Sequence, residues 1–217
     1  MKKIVLVSII VLLFQLSHGQ DTISKIELGS TLVTVNNFSD DHFYYRDRPA
    51  VEYLNGLFFR YTYKRISFRV LMSYSENYYS YSDPPSTRDG SSGDASNKDV
   101  RLGIGGQFSV FKKNSLLYPF IDASYRNIFS TGHYYGGFGG ANDERTSTTE
   151  GLLLNIGIGS KIKIYKSIYL SPEIAYSYFN GLRKETSTYV PNGSTIKYSS
   201  QTVYWSPLIK LHLTVNF

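Results

Sequence analysis

The last sixteen residues, Thr202 to Phe217, constrain this chain more than any other stretch. From Val203 onward every second residue is apolar or membrane-compatible: Val203, Trp205, Pro207, Ile209, Leu211, Leu213, Val215 and Phe217. Between them lie Tyr204, Ser206, Leu208, Lys210, His212, Thr214 and Asn216, mostly polar. A period of two places the two sets on opposite faces of one strand. The predicted strand is longer than the usual length of about five or six residues, and its apolar face carries no charge. It suits the last strand of a soluble β-sandwich or a strand with one face against lipid.

The start of the chain favours the second reading. Lys2 and Lys3 precede an almost wholly apolar run from Ile4 to Leu16, and Ser17-His18-Gly19 offers small residues at the expected cut. That run is shorter than the ~20 residues of a spanning helix and reads as an export signal. Residues 1–19 are therefore assigned to the signal and 20–217 to a single domain, with Gln20 as the expected mature N-terminus. The chain has no Cys, which excludes disulfides, lipid-modified cysteine and thiolate chemistry. It is aromatic-rich, with 20 Tyr and 13 Phe, yet its mean hydropathy is only −0.23. In a membrane β-barrel only alternate residues face lipid, so hydropathy averages out in this way. The net charge of +6 includes the two signal lysines and gives little support to a nucleic-acid partner.

The same alternation recurs along the chain. Strand one sets Ile26, Leu28, Leu32 and Thr34 against Glu27, Gly29, Thr31 and Val33. Strand two sets Leu57, Phe59, Tyr61 and Tyr63 against Phe58, Arg60 and Thr62. After Lys64-Arg65, strand three sets Ile66, Phe68, Val70, Met72 and Tyr74 against Ser67, Arg69, Leu71 and Ser73. Strand four carries Val100, Leu102, Ile104, Phe108 and Val110 against Arg101, Gly103, Gly105, Gln107 and Ser109. Strand five carries Leu117, Ile121, Ala123, Tyr125 and Phe129 against Tyr118, Phe120, Asp122, Ser124 and Arg126. Strand six runs from Leu152 to Ile164 and strand seven from Ile168 to Tyr178; the closing stretch is strand eight. Short connections fall at 64–65, 112–115 and 165–167, and long ones at about 36–50, 77–98, 131–149 and 180–201. The prediction is an all-β, eight-stranded, antiparallel, transmembrane up-and-down β-barrel with both termini on the short-turn side. An even strand number lets first and last strands pair and removes edges that lipid cannot satisfy.

A soluble barrel of the lipocalin kind is the rival, with charges outside. Glu27, Arg60, Arg69, Arg101, Asp122, Arg126, Lys161, Glu173 and Lys210 share the polar face with Gly29, Gly103, Gly105, Gly157 and Gly159. Glycine gains nothing on a solvated strand but makes room inside a narrow barrel. Tyr63, Tyr74, Tyr176, Tyr178 and Trp205 lie towards strand ends, as interfacial girdles require. Pro172 and Pro207 fall inside strands and predict a bulge or irregular ladder near each.

With export signal, eight amphipathic strands, alternating connection lengths and a final Phe217, the chain resembles small outer-membrane β-barrel proteins of the OmpA/OmpX-like kind, in a Bacteroidota-type version. That resemblance implies an outer-membrane location, periplasmic termini, and Phe217 as part of the signal read by the barrel-assembly machinery. It supplies no catalytic residue. The expected partners are outer-membrane lipid, the assembly machinery and an extracellular glycan or protein.

Chemistry is sparse in the sequence. His212 is expected in the lumen, turned away from any lipid substrate. His42 beside Asp40 and Asp41 suits a polar turn as well as a metal or acid–base site, and Gly136 to Gly140 lacks the lysine and helix of a phosphate loop. No cofactor, metal or catalytic residue is assigned, and the chain is read as a non-enzyme. The nine lumen charges form an expected plug, and Tyr44, Tyr45, Tyr78, Tyr79, Tyr81, Tyr134 and Tyr135 are candidate recognition residues. A narrow anion-preferring channel and, third, a lipid-modifying enzyme are the alternatives.

Overall fold

A computed structural model describes residues 24–36, 50–82, 92–109, 117–136, 141–189 and 193–217. The export signal, Gln20, His42 with its aspartates, Tyr44, Tyr45, the 112–115 turn and Gly137 to Gly140 lie outside them. The strands are β1 (Ser24–Asn36), β2 (Ala50–Tyr63), β3 (Ile66–Ser82), β4 (Ser92–Phe108), β5 (Leu117–Gly136), β6 (Ala141–Ser160), β7 (Ile162–Tyr165), β8 (Ile168–Tyr189) and β9 (Ser194–Asn216). Each pairs antiparallel with its neighbour, β6 and β7 both pair with β8, and β9 returns to β1. β7 continues β6 past Lys161, so the ring has eight strands, as the alternation predicts. Closure extends to the end of the chain, where Phe217 donates its N–H to the Ile26 carbonyl at 2.8 Å.

The two faces separate as expected. Leu57, Met72, Leu102, Ile104, Ile121, Ile156, Ile158 and Ile174 point outward and stay exposed, whereas Arg60, Arg69, Asp122 and Glu173 are buried. An apolar outside and a charged inside invert the pattern of a soluble barrel. The belt is rimmed on one side by Tyr61, Tyr63 and Phe68, and on the other by Tyr74, Tyr125, Tyr176, Tyr178 and Trp205. Trp205 packs between Tyr176 and Tyr178, with ring centroids 5.7 and 4.5 Å away. Lys64 and Lys166 occupy the tight turns with positive φ, and both described chain ends lie at that same end of the barrel.

Four expectations need correction. The described parts of the connections at 77–98, 131–149 and 180–201 are mostly strand. β3 and β4 pair up to Ser82 and Ser92, β5 and β6 up to Gly136 and Ala141, and β8 and β9 up to Tyr189 and Ser194. Polar residues on both faces hide a strand from periodicity once it leaves the lipid. β5, β6, β8 and β9 run to 20–23 residues, whereas a tilted crossing takes about 9–11. The excess of roughly ten residues lifts the sheet about 20–25 Å beyond the belt, at ~3.3 Å per residue and a tilt of about 45°.

Second, Thr34 faces inward and Val33 outward. The β1–β9 register slips between Thr31 and Val33, so Leu32 is an extra residue that reverses the faces above it. Third, strand six is interrupted at Lys161. Pro172, opposite that interruption, has no N–H to give the ladder. Fourth, there is no bulge at Pro207: β8–β9 pairing runs through it in register, and β1 pairing stops just below, at Leu208. The proline sits where β9 has one partner among the described residues.

The lumen glycines fit the expected tight interior. At Gly157 an added Cβ would meet the Ile174 carbonyl oxygen and lie 2.7 Å from the Phe120 ring. Gly157→Val should lower unfolding stability by about 1–3 kcal/mol through overpacking. Urea titration of the protein refolded in lipid vesicles checks this, with Ile156→Val on the lipid face expected to change little.

Candidate functional site

All nine lumen charges expected from the alternation lie on the inner face, and they sort into layers. The layer nearer the tight turns centres on Glu173 and Arg69, both fully buried. Arg69 Nη2 donates to Glu173 Oε2 at 2.9 Å, and its Nε lies 3.4 Å from Asp122 Oδ1. Arg60 Nη1 donates to Glu27 Oε2 at 3.0 Å, and Lys161 pairs with the same carboxylate. Tyr118 donates its hydroxyl to Glu173 Oε1 at 2.9 Å. Aromatic rings fill the space between the charges: Arg60 lies against Phe58 and Tyr118 at 4.8 and 4.9 Å, and Arg69 over Phe120 at 4.3 Å. Guanidinium planes on ring faces keep these cations in contact where water is scarce.

A second layer sits towards the long hairpins. Asp99 accepts from Arg101 Nη2 at 2.5 Å and from Arg126 Nη2 at 2.7 Å. Glu52 accepts from Asn55 at 2.5 Å and from Ser75 at 3.2 Å, and lies 3.6 Å from Arg101. Arg126 also donates to the Tyr204 hydroxyl, and Tyr204 stacks on the buried Phe179 at 5.0 Å. Glu52, Asn55 and Asp99 are absent from the expected lumen set because they fall in or beside stretches read as loops. The available signal was parity: Asp99 precedes Arg101 by two residues, and Glu52 precedes Arg60 by eight.

Between the layers lies a cavity of about 20 Å³, lined by Thr31, Thr34, Asn55, Ser73, Arg101, Ser124, Asn155 and Lys210 among others. It has room for one or two waters. Beside it, Thr31 Oγ1 lies 3.1 Å from His212 Nδ1, and His212 Nε2 lies 3.2 Å from Glu173 Oε2. The carboxylate can only accept, so Nε2–H donates to it; in the neutral ring Nδ1 then accepts from the Thr31 hydroxyl. The order hydroxyl, imidazole, carboxylate matches a hydrolytic triad. Here all three groups are buried, and the arrangement ties β1, β8 and β9 together. Among the described residues no cluster of three or more His, Cys, Asp or Glu could hold a metal ion.

The tyrosine candidates divide. Tyr78 is 75 % exposed and donates to Glu76 at 2.6 Å. Tyr135 stacks on His133 at 6.2 Å, and that imidazole is 3.4 Å from Asp94 and 3.8 Å from Glu144. Tyr134 is half-buried, and Tyr79 and Tyr81 lie on the outer part of β3. On the projecting β9, Ile196 and Tyr198 are 54 % and 55 % exposed, two apolar side chains that the sequence reading passed over.

Against solved structures, a major outer membrane protein of Thermus thermophilus matches over 89 % of this chain and 99 % of its own, at 11 % identity and a TM-score of 0.50. The chain has the fold of the bacterial outer-membrane β-barrels. CarO of Acinetobacter baumannii aligns over 87 % of this barrel and 97 % of its own chain, at 13 % identity and a TM-score of 0.46. Ail, the attachment invasion locus protein of Yersinia pestis, aligns over 89 % and 97 %, at 15 % identity and a TM-score of 0.41. No protein-family model and no curated protein sequence matches the barrel.

The turn-side layer generates a stability prediction. Replacing Glu173 by Ala leaves the Arg69 guanidinium buried without its main partner and should cost about 3–5 kcal/mol. Breaking the exposed Lys98–Glu76 pair, 3.4 Å apart, with Lys98→Ala should cost about 0.2–1 kcal/mol. Denaturant unfolding in vesicles, compared between the two variants, checks both.

Proposed function

We propose that this protein is an outer-membrane barrel with a plugged lumen, whose activity is recognition of an external glycan or protein by its projecting sheet. One observation carries the proposal: the strands continue, paired, far past the lipid belt, while the lumen beneath holds two layers of paired charges. A wall of paired strands projecting that far serves no spanning purpose. The hairpin tips bearing Tyr78, Tyr134 and Tyr135 stand on the side opposite the tight turns, and the proposal takes that side as extracellular and both termini as periplasmic. Tyrosine offers a large contact area, a hydrogen-bonding tip and few rotors to freeze, alongside Ser, Gly and Asn that adapt. The reading assigns the chain no catalytic step, since Thr31 and His212 are buried among the lumen side chains. Phe217 completes the β9–β1 seam and is assigned to assembly, with outer-membrane lipid and the barrel-assembly machinery as the partners of that step.

Three measurements test this. Planar-bilayer recording should show no steady conductance; an anion-selective current would instead support the narrow-channel alternative. Shortening the β3–β4 and β5–β6 hairpins to turns at Glu76/Lys98 and Phe129/Thr148 should leave heat-modifiable folding intact and abolish binding to glycan arrays or host-protein panels. Unchanged binding would remove the recognition role. Phe217→Asp should reduce the membrane-inserted fraction several-fold in cells, and normal recovery would remove the assembly role of that residue.

A further inference from the structure

We infer that the cavity between the two charge layers is a binding site for a small monovalent anion of halide size, held by Lys210. The inference starts from charge counting. On the turn side, Glu27, Asp122 and Glu173 balance Arg60, Arg69 and Lys161. On the outer side, Glu52 and Asp99 balance Arg101 and Arg126. Lys210 is the cation left over, and among the described residues no carboxylate stands within ion-pairing distance of its ammonium. Its cross-strand neighbour is Glu173, but that carboxylate is committed: Oε1 accepts from Tyr118, and Oε2 faces Arg69 and His212.

Asp122 and Glu173 attract this ammonium only from beyond contact distance, and an enclosed ammonium with no counter-charge in contact is costly. What Lys210 does reach is the cavity that it lines. The rest of the wall supplies further donors. Ser73 and Ser124 have rotatable hydroxyls, and the Asn155 amide oxygen already accepts from Ser177 at 2.6 Å, leaving its N–H₂ free to turn inward. Arg101 adds positive potential from the outer side. At about 20 Å³ the cavity admits one or two waters or one halide, and excludes phosphate and carboxylates with their larger oxygen shells. The Thr31 and Thr34 hydroxyls, spent as donors to His212 and Asn55, line the same space. They leave a place for water beside the ion.

Charge layers flank the cavity on both sides, so the ion is best supplied during refolding. The test is therefore made on protein refolded in sodium bromide, using crystals grown from that preparation and data collected at the bromine absorption edge. A single anomalous peak beside Lys210 Nζ in wild type, lost in Lys210→Met, is expected. In parallel, protein refolded in chloride should melt at a higher temperature than protein refolded in gluconate at equal ionic strength. That difference should vanish in Lys210→Met. Wild-type crystals without a bromide peak, holding only water at the site, overturn the inference whether or not Lys210→Met folds. So does a halide-independent melting temperature combined with strong coupling of Lys210→Met to Asp122→Asn, which would make Asp122 the counter-charge.

Discussion

A backbone group in hydrocarbon has no water to bond, so a sheet crossing a membrane must have no free edge. In this protein that condition depends on one seam, the pairing of β1 with β9. The seam is the shortest path between the chain's described ends, running from Glu27 opposite Asn216 to Asn36 opposite Leu208. It is made of Leu, Val and Ile on the lipid side and Thr31, Thr34, His212 and Thr214 inside. The other strand pairs join neighbours in sequence or continue around an interrupted strand. Among the described strands only the seam closes a loop of almost the whole chain.

Closure then dictates the interior. Eight strands leave a bore that side chains fill, and lipid outside means that the polar half of each strand must be satisfied within it. The solution is reciprocal: the Glu173 carboxylate on β8 meets groups from β3, β5 and β9. Without it each of these partners would lose one of its two buried polar contacts. Glycines at 103, 105 and 157 admit the side chains opposite, with Gly105 facing Asp122 and Gly103 facing Ser124. The lumen charges are thus a consequence of the closed sheet and, once paired, fix which side chain lies across from which.

The sequence was legible where lipid enforces alternation. The closing strand, the eight-strand count, the lumen position of His212 and the inward placement of all nine charges follow from a period of two. It failed where that pressure ends. Outside the belt neither face must be apolar, so Ser194 to Gln201 read as loop although they pair with β8 residue by residue. Asp99 and Glu52 were missed at that same boundary. The triad-like contact of Thr31, His212 and Glu173 could not be read either, because their separations in sequence, 181 and 39 residues, carry no local pattern.

The slip at Leu32 has a consequence of its own. Between the same two levels of the barrel, β9 places no residue, β1 one and β2 two, Leu54 and Asn55. An odd surplus turns a strand inside out above the slip, and an even one restores its phase. So Thr34 joins the lumen against parity while Glu52 keeps the parity of Arg60. The surplus grows one residue per strand as far as β2, where pairing with β3 stops at Gly56 opposite Ser73, and β3 through β6 pair without a shift. This side of the barrel works as a phase joint, in which length changes between neighbouring strands are absorbed before they can propagate around the wall.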